Sequence, residues 1–289
     1  MCQFDRASKP TRILPAVAVL LNQLNLLYRI VEMIQSSEAI EKGISMRIWD
    51  VNPGYLNRQS LLGEHRELHG IVSIINNGKK GYSHHPETIR WVGYGWALQL
   101  RHQLLAAEMA LRGYTDRSPV LSDENRELWP EVFIDEPAEQ FRILAGKYRA
   151  KEIGRIPIPE STQQLWGQHK YSVLARNENR YRQIGRKASG MKACAGFTEL
   201  SRELTVLLRT PPSEGGTRNA LQHMWGYVSD CCSGSNAQVE SWPLSKLFRE
   251  TQERALRCRA VYLVHSTALS ELSLWTDLST GEESAARQL

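Results

Sequence analysis

Between Asn57 and Asn76 the positions Leu61, His65, Leu68, Val72 and Ile75 recur at three- and four-residue intervals, which predicts an amphipathic helix with one buried stripe. Asn57 stands at the N-cap position, and Asn76-Asn77-Gly78 closes the helix before a loop over Lys79 to Pro86. Glu67 lies off the stripe. Its helical neighbours at i−4 and i+3 are Gly63 and Gly70, so its face is left open to a ligand or another backbone.

The same periodicity predicts a helix from Trp91 to Arg112, stopped by Gly113, and another from Ala138 to Glu152. Further helices are expected over Thr162 to Ala175, Asn179 to Ala188, Phe197 to Arg209, Thr217 to Cys231 and Leu244 to Trp275. Trp129 and Phe133 tack down an acidic connection running to Pro137, and Ile156-Pro157-Ile158-Pro159 reads as a stiff extended connector. Upstream, Leu20, Leu24, Leu27, Ile30, Val31 and Ile34 also fall at helical spacing. No strand alternation or internal repeat appears. The expected class is mainly α, with an extension at 1–45, a first helical domain at 46–152, a linker at 153–161, a second helical domain at 162–279 and a tail at 280–289.

Composition adds little until it is resolved along the chain. The 289 residues are 42% hydrophobic and 23% charged, with a net charge of +5. Arg47 to Val120 is net +3 and Leu165 to Lys192 net +6, whereas Leu121 to Ala138 is net −5. Two basic bodies joined by an acidic strap suit a nucleic-acid partner, and ordinary solvated faces would look the same. Five cysteines without metal or redox spacing are consistent with a reducing cytoplasm. Ile13 to Leu21 contains Pro15 and falls far short of the roughly 20 apolar residues a membrane span requires.

Two groups of residues carry candidate chemistry. His65 and His69 share a helix face four residues apart, a spacing that can place two imidazoles on one metal. The local sequence EHRELH is not the HExxH motif, and His65 also reads as a core histidine on the apolar stripe. The second group is Arg66-Glu67 on the glycine-flanked face, readable either as a surface ion pair or as a reactive pair.

Met46-Arg47-Ile48-Trp49-Asp50, Leu61 to Leu68 (LLGEHREL), Gly78-Lys79-Lys80-Gly81-Tyr82, His84-His85-Pro86-Glu87 and Arg90-Trp91 together resemble the bacterial pyrimidine dimer DNA glycosylases, relatives of phage endonuclease V. The resemblance implies cleavage of a glycosidic bond at a UV-linked pyrimidine pair in double-stranded DNA, then strand nicking by β-elimination, with no cofactor. It further implies the α-amine of the chain's first residue as nucleophile and one glutamate as acid/base. By register Glu67 takes the glutamate role, Met46 falls at the reactive terminus, and Arg66 and Arg47 fall where phosphate or lesion is held. An α-amine has a pKa of about 7.7–8.0 against about 10.4 for lysine, so near neutrality a useful fraction is an uncharged nucleophile.

An internal peptide nitrogen cannot react in this way. Either translation or processing begins the active chain at Met46, with residues 1–45 not part of it, or the full-length chain is silent by this route and residues 1–45 serve as a docking helix. A duplex lesion must be extruded, and Trp49, Tyr82, Trp91 and Trp96 are wedge or pocket candidates. Lys79, Lys80, His84 and Arg90 are candidates for phosphate contacts.

Farther along, Leu165 to Arg176 (LWGQHKYSVLAR), Tyr181 to Arg186 (YRQIGR) and Asn219 to Tyr227 (NALQHMWGY) resemble the YbgA-like helical domains of unknown function. His169, Lys170, Tyr171, His223 and Tyr227 there either line one polar site or are satisfied core polars. Three functions stay open: a lesion-specific glycosylase and apurinic-site lyase, a non-catalytic binder of distorted DNA, and a metal-dependent hydrolase through His65 and His69.

Overall fold

The computed structural model describes residues 46–192, 194–231 and 239–276. The helix expected at Leu20 to Ile34, the extension and the tail after residue 279 lie outside them. Among the described residues the chain is helical, with no strand. The helices are α1 (Arg58–Asn77), α2 (Pro86–Trp91), α3 (Gly95–Leu111), α4 (Pro137–Lys147), α5 (Thr162–Arg176), α6 (Glu178–Ser189), α7 (Phe197–Leu207), α8 (Glu214–Trp225), α9 (Leu244–Arg257), α10 (Val261–Val264) and α11 (Ala268–Glu271).

Helix α1 forms as its stripe predicts. Leu61 and Leu68 are fully buried, and Asn57 caps the helix, its side-chain oxygen accepting from the Ser60 amide at 2.8 Å. Gly78 ends it in the left-handed conformation that glycine adopts without strain.

Two expected helices are broken in the structure. The segment from Trp91 to Arg112 is α2 and α3 separated by Val92–Tyr94. Pro86 opens α2 under a His85 cap, and Gly93 at φ +81° turns the chain. The long helix expected from Leu244 to Trp275 is α9, α10, α11 and a 3-10 turn. Its first break falls at Arg259, φ +49°. At the second, the Thr267 amide leaves the helical ladder to donate to the Gln168 carbonyl at 2.9 Å.

One core runs from Ile48 through α1, α3 and α4 to Leu165, Ile184 and Leu204, and a second gathers α5, α8, α9 and α11. The connector at Gly154–Ile156 is packed between them. The Ile156 amide donates to the Gly54 carbonyl at 2.9 Å, and a Cβ on Gly154 would lie 2.4 Å from the Tyr55 carbonyl oxygen. Arg155 reaches the fully buried Glu108 on α3 at 2.7 Å and also donates to the Ser266 carbonyl at 3.1 Å. Buried charge therefore ties the first segment to the second, alongside apolar contact.

Candidate active-site groove

The segment from Met46 to Asn52 belongs to no helix and has no neighbouring strand, bending at Asp50 and Val51, so its buried backbone groups need side-chain partners. It finds them on alternating sides. The Arg47 amide donates to Glu67 Oε2 at 2.7 Å and the Trp49 amide to Glu64 Oε1 at 3.2 Å, both carboxylates being on α1. The Ile48 amide faces Glu87 on α2, and the Asp50 amide donates to Gln140 Oε1 on α4 at 2.8 Å. Glutamates three residues apart on one helix thus hold alternate residues of this segment, and Met46 is brought beside Glu67.

Glu67 opens on a groove of about 400 Å³ lined by Arg47, Trp49, Gly63, Arg66, Ile143 and Lys147 among others. Burial raises the Glu67 pKa, against the opposing pull of the Arg47 amide, Lys147 and Arg66. Lys147 shows the converse: burial holds its ammonium below the usual lysine range although Glu67 favours the charge. An added Cβ at Gly63 or Gly70 would meet nothing within 4 Å, so the glycine-flanked face is open as its sequence indicated. Gly63→Leu is expected to raise thermal stability, since glycine costs a helix interior roughly 1 kcal/mol, while obstructing any ligand of Glu67. Thermal melts and a ligand or cleavage assay on one preparation check both signs; retained activity contradicts the groove assignment.

The remaining predicted site residues separate into two sets. Arg66 is exposed at the groove, and Arg47 pairs with Asp135 while its guanidinium lies 4.4 Å from the Trp49 ring. Lys79, Lys80, Tyr82 and His84 are exposed on the loop after α1, Tyr82 at φ +55°. Arg90 and Trp91 are not surface contacts: they are only 2% and 1% exposed. Arg90 is spent on Asp50, Glu87 and the Val132 carbonyl, and Asp50 also meets Arg209 of the second segment at 3.1 Å. Trp49 and Trp96 are likewise buried, at 5% and 8% exposure, so of the proposed wedges Tyr82 alone stands at the surface. A void of about 50 Å³ among Asp50, Trp91, His169 and Arg209 is too small for a nucleotide.

Glu87, sealed beneath this network, is pushed up to about 7 by burial, Arg90 pulling the other way and Asp50 adding to the rise. Between its ordinary 4.5 and about 7 the folded state holds a proton that the unfolded state has released. Through this group stability falls as pH rises, by up to roughly 1.4 kcal/mol per unit, and is fully present only below the unfolded value. Urea unfolding at pH 5.5 and pH 8 is expected to show a smaller difference in Glu87→Gln than in the parent; equal differences contradict this.

In the second segment Lys170, Tyr171 and Tyr227 do converge, the Lys170 ammonium lying 4.7 and 5.7 Å from the two rings and 4.5 Å from Tyr262. His169 faces elsewhere. It is buried, its Nδ1 2.8 Å from the Leu165 carbonyl and its ring stacked on Tyr55, and burial lowers its pKa to about 4. His223 is exposed on α8.

On α1, His65 and His69 meet two groups that their spacing could not reveal: His102 on α3 and Asp116 on the following loop. The missed signal was long-range. Helix α3 packs along α1, and that crossing sets His102 opposite the histidine pair.

Residues 46–122 match the family described as pyrimidine dimer DNA glycosylase. That span includes the segment from Met46, α1 and the exposed basic loop, which build one side of the groove and flank it; the Ile143 and Lys147 side, on α4, lies outside it. Residues 170–251 match a second family, described as a protein of unknown function (DUF1722), in agreement with the YbgA-like resemblance. No curated protein and no solved structure matches the chain. No helix among the described residues is long and apolar enough to cross a membrane.

Proposed function

We propose that the chain is a DNA repair glycosylase with apurinic-site lyase activity, acting on pyrimidine dimers from the Glu67 groove. The observation that carries the reading is the 2.7 Å bond from the Arg47 amide to Glu67 Oε2, within the segment that matches the glycosylase family. In a chain beginning at Met46, that bond holds the terminal α-amine one residue from the carboxylate.

The amine, losing a proton, would attack the sugar C1′ as the C1′–N bond breaks, the base leaving with the bonding pair and taking up a proton. The C1′–O4′ bond of the aminal so formed would then break, O4′ taking up a proton, and the ring-opened iminium acidifies C2′. Loss of that proton and expulsion of the 3′ phosphate oxygen then cut the strand. A carboxylate with a raised pKa in a partly closed groove suits the required proton transfers, and Arg47, Arg66 and Lys147 supply positive charge for the flanking phosphates.

The exposed loop with Lys79, Lys80, Tyr82 and His84 follows the C-terminus of α1, roughly 15 Å along the helix axis from Glu67. That reach would suit phosphates several nucleotides from the lesion. A second basic surface lies on α5 and α6, where Trp166 and Tyr181, ring centroids 5.5 Å apart, stand beside Arg182 and Arg186. Aromatic rings flanked by arginines suit extra grip on DNA.

The test is relaxation of UV-irradiated supercoiled plasmid by protein starting at Met46, with unirradiated plasmid as control. Lesion-dependent nicking supports the reading. Salt-sensitive binding of irradiated DNA without nicking would instead support a non-catalytic binder of distorted DNA.

A further inference from the structure

Behind the groove, on the other side of α1, lies a second cluster. Glu67 sits midway between His65 and His69 in sequence, and at about 100° per residue the two histidines project roughly 160–200° away from it. There they meet His102, which is 2% exposed, and Asp116. The donor atoms of these residues all lie within 4.8 Å of one another. His69 Nε2 is 3.2 Å from His102 Nε2, His65 Nε2 is 3.3 Å from Asp116 Oδ1, and His102 Nε2 is 3.5 Å from Asp116 Oδ2. The three ring centroids are 4.7, 4.9 and 5.0 Å apart, so the imidazoles surround one point with none stacked outside.

Four donors at about 2.0–2.1 Å from a tetrahedral ion stand about 3.3–3.4 Å apart; the three contacts at 3.2, 3.3 and 3.5 Å match that spacing, and all the donors lie within 4.8 Å, so small side-chain rotations close the site. A hydrogen bond accounts for the His69–His102 contact but not for His65. His65 Nε2 is buried with no hydrogen-bond partner, its approach to Asp116 being an ion-pair distance without the required alignment.

We propose that His65, His69, His102 and Asp116 form a structural site for a divalent transition-metal ion of the Zn²⁺ class, clamping α1 to α3 and to the loop after α3. Three nitrogens, one carboxylate oxygen and no thiolate favour such an ion over Ca²⁺ or Mg²⁺, which take oxygen ligands. With four protein ligands the coordination is closed, which fits structure rather than hydrolysis. The ion would fix the rotation of α1 and so the aim of Glu67, without touching anything bound in the groove.

The probes are Zn²⁺ and Co²⁺ added to the full chain after chelator treatment. One equivalent of Co²⁺ is expected to give the intense visible bands of a tetrahedral site, displaced by one Zn²⁺. Zn²⁺ at a hundredfold excess over its Kd should raise Tm by roughly 5–10 °C. His69→Gln and Asp116→Asn, at partly exposed positions, should fold yet lose stoichiometric binding and the Tm gain. His265→Ala should lose neither. Failure of the parent to give tetrahedral Co²⁺ bands overturns the proposal on its own, whatever the variants do. Binding that persists in folded His69→Gln and Asp116→Asn also overturns it, marking an adventitious ion.

Discussion

Glu67→Gln is expected to reduce nicking of lesion-bearing duplex by about 10²–10⁴-fold while leaving its Kd for that duplex within a few-fold of the parent. The glutamine carbonyl can still accept from the Arg47 amide, so the segment from Met46 and the groove keep their shape, and only the exchangeable proton and the negative charge are lost. Single-turnover cleavage and filter binding on one preparation separate the two quantities. Parallel loss of binding and cleavage would assign Glu67 to architecture. Unchanged cleavage would remove it from the chemistry.

Glu108→Ala is expected to destabilise the chain by about 3–5 kcal/mol. The fully buried Glu108 carboxylate receives Arg112 and Arg155, both at 2.7 Å, and the two arginines hold it below the ordinary glutamate range despite the burial that opposes its charge. Removing it strands buried positive charge, the expensive half of a broken buried pair. Because Arg155 also binds the Ser266 carbonyl, the damage should reach the C-terminal helices. Chemical denaturation monitored by tryptophan fluorescence and by far-UV circular dichroism is expected to show one cooperative loss. A cost below about 1 kcal/mol would mean that the two segments are not tied through this carboxylate.

The segment that matches the glycosylase family was legible where local pattern carries the information. The 3.6-residue stripe located α1, Asn57 and Gly78 marked its ends, and the glycines flanking Glu67 announced an open face that the groove has. The second segment was read less well. Its long C-terminal helix is cut at Arg259, where φ turns positive, and at Ser266–Thr267, where bonds to Gln168 outweigh helical propensity, and no periodicity encodes such a partner.

The same limit explains the site residues. An arginine and a tryptophan beside a basic loop look like DNA contacts, yet Arg90 and Trp91 are internal because Asp50, Glu87 and the Val132 carbonyl absorb the guanidinium charge. The i, i+4 pair His65 and His69 was visible in the sequence, whereas His102 and Asp116 joined it only once α3 was laid against α1. Lys147, an amine in the groove besides the terminal one proposed at Met46, came from the far end of α4 and carried no sequence signal at all.

That second amine shapes the decisive measurement, borohydride trapping on a duplex bearing one thymine dimer, with protein starting at Met46 and protein starting at Met1. The account predicts a covalent adduct from the Met46 form alone, mapped by peptide mass spectrometry to its terminal α-amine. Absence of any adduct despite lesion binding, or an adduct that both forms carry on Lys147, would contradict it.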